Sequence, residues 1–231
     1  MIFAISDLHL SLACDKPMDV FGVEWHNYVS RIRDNWQNIV GVNDTVVIPG
    51  DISWAMKLED ALADFSFIDK LNGKKIISKG NHDYFWETAS KMKRFFDANE
   101  FKSIEILHNN SFQVENVLIC GSKGYNVDEN ESAEHNKKIL ARECIRLKLS
   151  LDSAKVTGDT TPIVFLHYPP VGQTFEITEI TSLLKEYGVK ECYYGHIHGK
   201  AVENAFEGEK DGVEYRLISA DRLQFKPIKI K

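Results

Sequence analysis

Side chains that bind metal ions recur in five short stretches of this sequence. In chain order they are Asp7-Leu8-His9, Gly50-Asp51, Gly80-Asn81-His82-Asp83, His167 and Gly195-His196-Ile197-His198. The two-residue spacing of the first stretch would put both side chains on one face of a strand, as binding to a single ion requires. Asp-x-His and Gly-Asp are weak signals alone, but the five stretches together contain five of the 8 histidines. The set therefore indicates metal chemistry.

The types of donor atom narrow the choice of metal. Two carboxylates, one amide oxygen and four imidazoles are available, from Asp7, Asp51, Asn81, His9, His167, His196 and His198. Mixed oxygen and nitrogen donors suit Mn²⁺, iron or Zn²⁺ better than Ca²⁺, and the lack of thiolates disfavours a structural zinc site. Seven donors are too many for one tetrahedral ion, but they suit two divalent ions that share a carboxylate. Such pairs are used to displace groups from phosphate esters.

The elements that must position these residues alternate between strand and helix, which is typical of an α/β fold. We predict strands at 2–6, Thr45–Pro49, Lys74–Ser78, 117–120, 162–166 and Glu191–Tyr194, and helices at 25–40, 58–71, 84–96, 131–155 and 178–187. Further short strands are predicted at 200–206, 213–219 and 225–230. No repeat or linker interrupts the pattern, so we expect one domain over residues 1–231.

All five stretches lie at or next to the C-terminal end of a predicted strand. Open α/β sheets bind their ligands at this edge. Glycine beside a ligand residue lets the chain turn sharply and approach the site closely. The sequence therefore predicts one site, assembled where several strands end.

These motifs resemble those of the calcineurin-like metallophosphoesterase superfamily, whose pattern is Asp-x-His, Gly-Asp, Gly-Asn-His-Asp/Glu, His and Gly-His-x-His. The matching motifs run from Asp7 to His198 and so span most of the chain. The residues around Asp7 and Asp51 are also similar to a branch of small bacterial predicted phosphohydrolases. The resemblance implies a four-layer αββα sandwich, in which two mixed β-sheets flanked by helices pack face to face.

The resemblance also implies a role for each residue. Two divalent metal ions would be held, one by Asp7, His9 and His198, the other by Asn81, His167 and His196, with Asp51 bridging both. His82 would stand over the substrate phosphate without binding metal, and Asp83 would orient and polarise it.

The implied activity is hydrolysis of a small phosphodiester or phosphomonoester, by attack of a hydroxide that bridges the two ions. His82 would stabilise the charge that builds on the phosphoryl oxygens and protonate the leaving oxygen. Protein-phosphatase activity is less favoured, because Gly50-Asp51 is followed by Ile52 rather than by the arginine that such enzymes use.

Composition restricts the partners. The 231 residues are 43% hydrophobic, enough for a core, and the net charge of −6 argues against long nucleic acid. No run approaches the roughly 18 apolar residues of a membrane span, and the N-terminal residues do not resemble a signal peptide. We therefore expect a cytoplasmic protein with no membrane partner. The 4 cysteines form no CxxC motif and are expected to be free thiols. Nothing in the sequence predicts an oligomeric state.

Two interpretations stay open beside the hydrolase. The chain could be a non-catalytic metal-binding scaffold on the same fold, although such scaffolds lose ligands or the catalytic histidine, and this chain keeps both. It could also be a metal-binding regulator without turnover. The aromatic residues Trp54, Tyr84, Phe85 and Trp86 could stack on a substrate ring or pack beneath the loops.

Overall fold

The computed structural model describes residues 1–127, 130–154, 160–171 and 178–231. Its strands are β1 (Ile2–Ala4), β2 (Thr45–Pro49), β3 (Lys74–Ser78), β4 (Ile104–Ile106), β5 (Phe112–Val114), β6 (Val117–Ser122), β7 (Thr161–Leu166), β8 (Glu191–Tyr194), β9 (Gly208–Lys210), β10 (Val213–Leu217) and β11 (Ile228–Lys229). Its α-helices are α1 (Tyr28–Ile39), α2 (Leu62–Lys70), α3 (Ala89–Ala98), α4 (Ala133–Ser153) and α5 (Glu179–Glu186).

The strands form two mixed sheets. The first sheet has the order β11-β1-β2-β3-β4, and the second has the order β5-β6-β7-β8-β10-β9. In the first sheet β1 to β4 run parallel and β11 pairs antiparallel with β1. In the second sheet the inner strands are parallel, and the edge strands β5 and β9 are antiparallel to their neighbours. The parallel strands of each sheet therefore end at a common edge.

Each sheet is buried on both faces, which explains why its strands are almost continuously apolar. Between the sheets, Ala4 and Val47 of the first belong to the same buried cluster as Phe165 and Tyr193 of the second. The opposite face of the first sheet packs against α1, α2 and α3, and that of the second packs against α4 and α5. The predicted four-layer αββα arrangement is confirmed.

Differences from the predicted elements fall at helix starts, at the ends of β1 and β6, and in the C-terminal part. The strand predicted at 200–206 is wrong, because Gly199–Asn204 forms a 3-10 helix. The helix predicted at 84–96 begins only at Ala89, where Thr88 is the N-cap and its hydroxyl accepts a hydrogen bond from the Lys91 amide at 3.3 Å. The predicted end of the fourth helix, residue 155, lies outside the described residues.

The four cysteines are free thiols. Among the described residues, no helix combines the length and the apolar character needed to cross a lipid bilayer.

Candidate metal centre

The seven predicted donor residues lie together, at the edge where parallel strands of both sheets end. Each follows a strand of the first or the second sheet: Asp7 and His9 follow β1, Asp51 follows β2, Asn81 follows β3, His167 follows β7, and His196 and His198 follow β8. Because the sheets pack face to face, their two edges come into register at this point. The site is therefore built from both sheets rather than from one.

Four of these residues have a left-handed backbone, which L-residues other than glycine rarely adopt. The φ angles are 59° at Asp7, 44° at His9, 51° at Asp51 and 73° at His196. Such a conformation costs on the order of 1–2 kcal/mol per residue. Hydrogen bonds hold the turns in place, since the Asp7 amide donates to the Gly50 carbonyl at 3.0 Å and the His9 amide to the Asp51 carbonyl at 2.9 Å. Strain of this kind is concentrated at functional sites.

Glycine is required where the loops approach one another. A Cβ atom on Gly80 would overlap the carboxylate and amide of Asp51, and one on Gly195 would overlap the side chains of Ser6 and Asp7. Both glycines precede donor residues in the sequence motifs. The motifs therefore contain glycine because no side chain fits between the converging strand ends.

The first donor cluster contains Asp7, His9 and His198, whose ligand atoms lie within 4.8 Å of one another. His9 Nε2 is 3.4 Å from His198 Nε2, and His198 Nε2 is 3.5 Å from Asp7 Oδ1. Asp7 and His9 are buried, whereas the side chain of His198 is 27% exposed. The cluster therefore has one member on the solvent side.

The second donor cluster contains Asp51, His167 and His196, again within 4.8 Å. His167 Nε2 is 3.6 Å from Asp51 Oδ1 and 2.5 Å from Asn81 Oδ1. The other carboxylate oxygen of Asp51, Oδ2, is 3.7 Å from Nε2 of His9 in the first cluster. Asp51 thus faces both clusters, one oxygen toward each.

In the absence of metal ions, burial and mutual interaction strongly shift the pKa values of the groups in the two clusters. Burial and the carboxylates of Asp83 and Asp7 raise the pKa of Asp51 to about 9. Burial lowers the pKa of His167 to about 3 and that of His196 to about 4, so both imidazoles are neutral and present lone pairs. Burial also disfavours charge on His198, but the nearby carboxylates of Asp7 and Asp221 outweigh it and raise the pKa to about 10.

Among the residues that the structure describes, two buried polar atoms of the clusters find no hydrogen-bond partner. They are Asp51 Oδ2 and His9 Nδ1, on residues only 1% and 4% exposed. Leaving such atoms unpaired costs about 1–3 kcal/mol each, so an unpartnered carboxylate oxygen that faces imidazole nitrogens fits a bound cation. The residues present therefore fit two divalent metal ions with mixed oxygen and nitrogen donors.

In His198 and His167, the ring nitrogen Nδ1 has an oxygen partner that orients the ring. His198 Nδ1 lies 2.8 Å from Asp221 Oδ1, and the amide of Gly199 donates to Asp221 Oδ2 at 2.9 Å. His167 Nδ1 lies 3.3 Å from the Pro49 carbonyl. Partners of this kind fix the tautomer and point the other nitrogen toward a metal. Sequence analysis missed Asp221, a single aspartate in a turn 23 residues after His198 that no motif marks.

The carboxylate of Asp83 is fully buried and accepts hydrogen bonds from four backbone amides. The donors are Asp51 (2.9 Å), Ile52 (2.7 Å), Ser53 (3.3 Å) and Gly80 (2.7 Å). Burial raises the pKa of Asp83 to about 6, while these amides act in the opposite direction. In the described part of the chain, no hydrogen bond joins this carboxylate to the His82 ring. Asp83 thus ties the loop after β2 to the loop after β3.

The ring of His82 belongs to a cavity beside the clusters instead. Its Nδ1 is 3.3 Å from the Tyr84 hydroxyl, its ring centroid is 4.6 Å from that of Trp54, and its amide donates to Asp51 Oδ1 at 2.8 Å. The cavity has a volume of about 580 Å³ and is also lined by Lys16 and Trp25. His9 and His198 form its floor on the side of the clusters.

The four aromatic residues singled out in the sequence divide between the cavity and the core. Trp54 and Tyr84 line the cavity, and Trp54 stacks on His9 with centroids 5.0 Å apart. Phe85 is 1% exposed and packs edge-on against Phe65 in the core. Trp86 packs against Phe85 and lies outside this cavity.

Comparison with known proteins agrees with this geometry. The family model described as calcineurin-like phosphoesterase matches residues 1–200. The phosphopantetheinyl hydrolase PptH of Mycobacterium tuberculosis has a similar fold, with a TM-score of 0.58 and 12% identity over 94% of this chain and 88% of that one. The protein of unknown function AQ665 of Aquifex aeolicus gives a TM-score of 0.50 and 15% identity over 99% of this chain and 94% of that one.

At these identities the structural likeness establishes the fold alone. No curated protein matches the chain. The family match is independent of the structural likeness and includes every donor residue from Asp7 to His198. The resemblance seen in the sequence is thus confirmed, and the chain belongs to the calcineurin-like phosphoesterase family.

Proposed function

We propose that this protein hydrolyses small phosphate esters with the help of two divalent metal ions. The observation that carries the proposal is the pair of donor clusters joined by Asp51, the first of which contributes His9 and His198 to the wall of a cavity that also holds the non-ligand histidine His82. One ion would be held by Asp7, His9 and His198, the other by Asn81, His167 and His196, with Asp51 between them. The donor set admits Mn²⁺, iron or Zn²⁺.

When bound, two such ions would lower the pKa of a shared water molecule and offset negative charge on the phosphoryl oxygens. Residues of the chain would contact the substrate and transfer the proton. We assign to His82 the contact with a phosphoryl oxygen and the transfer of a proton to the leaving oxygen. Burial lowers the pKa of its imidazole, which makes the protonated form a stronger acid but a less populated one at neutral pH. The Tyr84 hydroxyl, 3.3 Å from Nδ1, would hold the ring in place.

Asp83 is assigned a positioning role. Its four hydrogen bonds fix the backbone of residues 51–53 relative to Gly80, and so set the distance between the bridging carboxylate and Asn81. This role does not require contact with His82. The family resemblance implies that Asp83 orients His82. The four hydrogen bonds support a different role, in which Asp83 positions the two loops.

The residues that line the cavity favour a substrate whose leaving group carries a planar ring. Trp54 and Tyr84 offer ring faces and edges beside His82, and aromatic pairs gain about 0.5–1.5 kcal/mol beyond the area they bury. The Lys16 ammonium lies 4.5 Å from the centroid of the Trp54 ring and adds a positive charge at the same wall. An aryl or nucleoside ester fits this wall better than a short alkyl ester.

The test is hydrolysis by the purified protein loaded in turn with Mn²⁺, Fe²⁺, Zn²⁺ and Mg²⁺. Substrates are aryl and alkyl phosphodiesters, the corresponding monoesters and cyclic nucleotides. We expect turnover with at least one metal, and a higher kcat/KM for aryl or nucleoside diesters than for alkyl ones. The His82→Ala variant should bind both metals and lose about 10²–10⁴-fold in kcat.

The matched control is His135→Ala, which removes an exposed histidine at the start of α4 and should leave turnover unchanged. Full turnover by His82→Ala with both metals bound would overturn the role of His82. Two bound metals without hydrolysis of any substrate would instead favour the non-catalytic scaffold.

A further inference from the structure

A second cavity, of about 540 Å³, lies at the same edge of the sandwich as the metal centre. Its wall includes residues where β3, β4 and β6 end and one face of α4. Ser78 and Lys79 on one side, and Trp86 to Thr88 on the other, are the two ends of the loop that carries Asn81 and His82. None of the seven metal-donor residues lines it, so it is distinct from the cavity that contains His82. We call it the cationic cavity.

The charged side chains of the cationic cavity are mostly basic. Lys79, Lys123, Arg142 and Arg146 line it, against Glu87 and Glu143. Glu87 is already paired with Lys91 on α3, at 3.1 Å.

The remaining acid, Glu143, is fully buried and forms ion pairs with both arginines, the closer one with Arg146. Its Oε1 is 2.7 Å from Arg146 and 3.6 Å from Arg142. Within the ranges that the structure describes, no carboxylate lies within 4.0 Å of Lys79 or Lys123. Positive charge therefore remains uncompensated.

His108 also lines this cavity, and the surrounding charges act on its pKa. Desolvation lowers the pKa of His108, and the charges of Arg146 and Lys79 lower it further, while Glu143 acts in the opposite direction. The basic groups thus influence one another across the cavity. A bound anion would relieve the repulsion between these groups, and a low-dielectric wall would strengthen its attraction.

The cationic cavity also contains polar atoms without partners. Ser78 is 2% exposed, and among the described residues neither its hydroxyl nor Glu143 Oε2 has a hydrogen-bond partner. A buried hydroxyl without a partner in the chain is uncommon and leaves room for a partner from outside it, a water molecule or a ligand. An anionic oxygen would accept from Ser78, and a ligand hydroxyl would donate to Glu143.

We propose that the cationic cavity binds a small phosphate-bearing molecule at a site separate from the metal centre. Two lysines and two arginines provide the charge-assisted donors that phosphate oxygens require. The second carboxylate oxygen of Glu143, which has no hydrogen-bond partner among the described residues, leaves room for a hydroxyl on the same ligand. The volume exceeds that of a lone phosphate, so the ligand class is a phosphorylated metabolite or a short polyphosphate rather than the phosphate ion alone.

The test is calorimetric titration of the 231-residue chain with pyrophosphate at low ionic strength, carried out with the metal ions bound and again after their removal. We expect saturable binding, weakened roughly tenfold or more in Lys79→Met and in Lys123→Met. Ser78→Ala should weaken it as well, because it removes the unpartnered hydroxyl. Lys190→Met, a substitution of an exposed lysine before β8, is the matched control and should bind like the unmodified protein.

A second comparison separates this site from the metal centre. Asp51→Asn should lose metal ions and hydrolysis but keep the affinity for pyrophosphate. Loss of pyrophosphate binding in Asp51→Asn together with full binding in Lys79→Met would overturn the proposal, because the anion would then lie at the metal centre. No saturation up to about 10 mM pyrophosphate would overturn it too. So would binding of an acidic peptide where pyrophosphate does not bind.

Discussion

Asp221 shows how one carboxylate outside the donor set can control a metal ligand. It holds Nδ1 of His198 at 2.8 Å and the Gly199 amide at 2.9 Å, and so turns the ring to present Nε2 to Asp7 and His9. Partners of this kind also raise the basicity of the ligating nitrogen. Asp221 is therefore a positioning residue for the first cluster.

We predict that Asp221→Asn weakens metal binding about 10–100-fold without unfolding the protein. An asparagine keeps the size of the side chain, but it removes the charge that favours the correct orientation of His198. The measurement is competition for metal with a chromophoric chelator, with thermal unfolding recorded in parallel. Glu203→Gln, an exposed carboxylate in the 3-10 helix that follows His198, serves as the control. Unchanged metal affinity in Asp221→Asn would contradict the assignment.

Among the elements, α2 has an unexpected link to the loops of the site. Asp64 in its first turn is 1% exposed and accepts a hydrogen bond from the Leu12 amide at 2.9 Å, in the loop after β1. It also accepts one from the Ser53 hydroxyl, in the loop after β2. One helix thus holds both loops that emerge beside Asp7 and Asp51.

This link predicts a pH-dependent stability. Burial raises the pKa of Asp64 above its ordinary value of 3.8, although the hydrogen bonds from Ser53 and Leu12 oppose the shift. The folded protein therefore keeps this proton at pH values where the unfolded chain has released it. The stabilisation is fully present below pH 3.8 and is lost as pH rises through the folded pKa.

The Asp64→Asn variant should not lose this stabilisation as pH rises, because asparagine does not titrate. The difference in unfolding free energy between the variant and the unmodified protein should shift in favour of the variant as pH rises. This difference in unfolding free energy should change by about 1.4 kcal/mol for each pH unit between the pKa of Asp64 in the unfolded chain and its pKa in the folded protein. Above the folded pKa it should stay constant. Urea unfolding over a pH series measures it, with exposed Asp60→Asn beside α2 as the control. A difference that does not change with pH would refute the prediction.

The ends of strands were the most predictable elements, because motif and strand reinforce one another. β2, β3 and β8 have the predicted bounds, and the residues after them supply donors. Helix starts were less predictable: the apolar residues from Tyr84 to Trp86 imitate a helical pattern, but they serve a cavity and the core. Asp64 and Asp221 act through contacts distant in the chain, and local pattern carries no signal for these.

For the molecule as a whole, the candidate metal centre draws its residues from both sheets. In the first cluster, Asp7 and His9 come from the first sheet and His198 from the second. In the second cluster, Asp51 faces His167 and His196 across the same boundary. Apolar packing also joins the sheets, since Ala4 and Val47 of the first lie in one buried cluster with Phe165 and Tyr193 of the second. Bound metal should therefore stabilise the sandwich.

We predict that a divalent metal at a hundredfold excess over its Kd raises the free energy of unfolding by about 2.7 kcal/mol per site. Urea unfolding with Mn²⁺ and with chelator measures the difference. His198→Ala should reduce the gain, because it removes the contribution of the second sheet to the first cluster, while His135→Ala should keep it. A midpoint that is independent of metal, although metal binds, would show that the unfolded chain binds it equally well.

The left-handed turns at the donor residues also bear on how this fold can change over evolutionary time. Asparagine enters that backbone region nearly as readily as aspartate, whereas β-branched residues are excluded from it. At Asp7 and Asp51, a drift to asparagine would thus discard the charge and retain the turn. A lineage of this fold can lose its chemistry in one step and keep its shape, whereas a valine at the same position would endanger the shape itself.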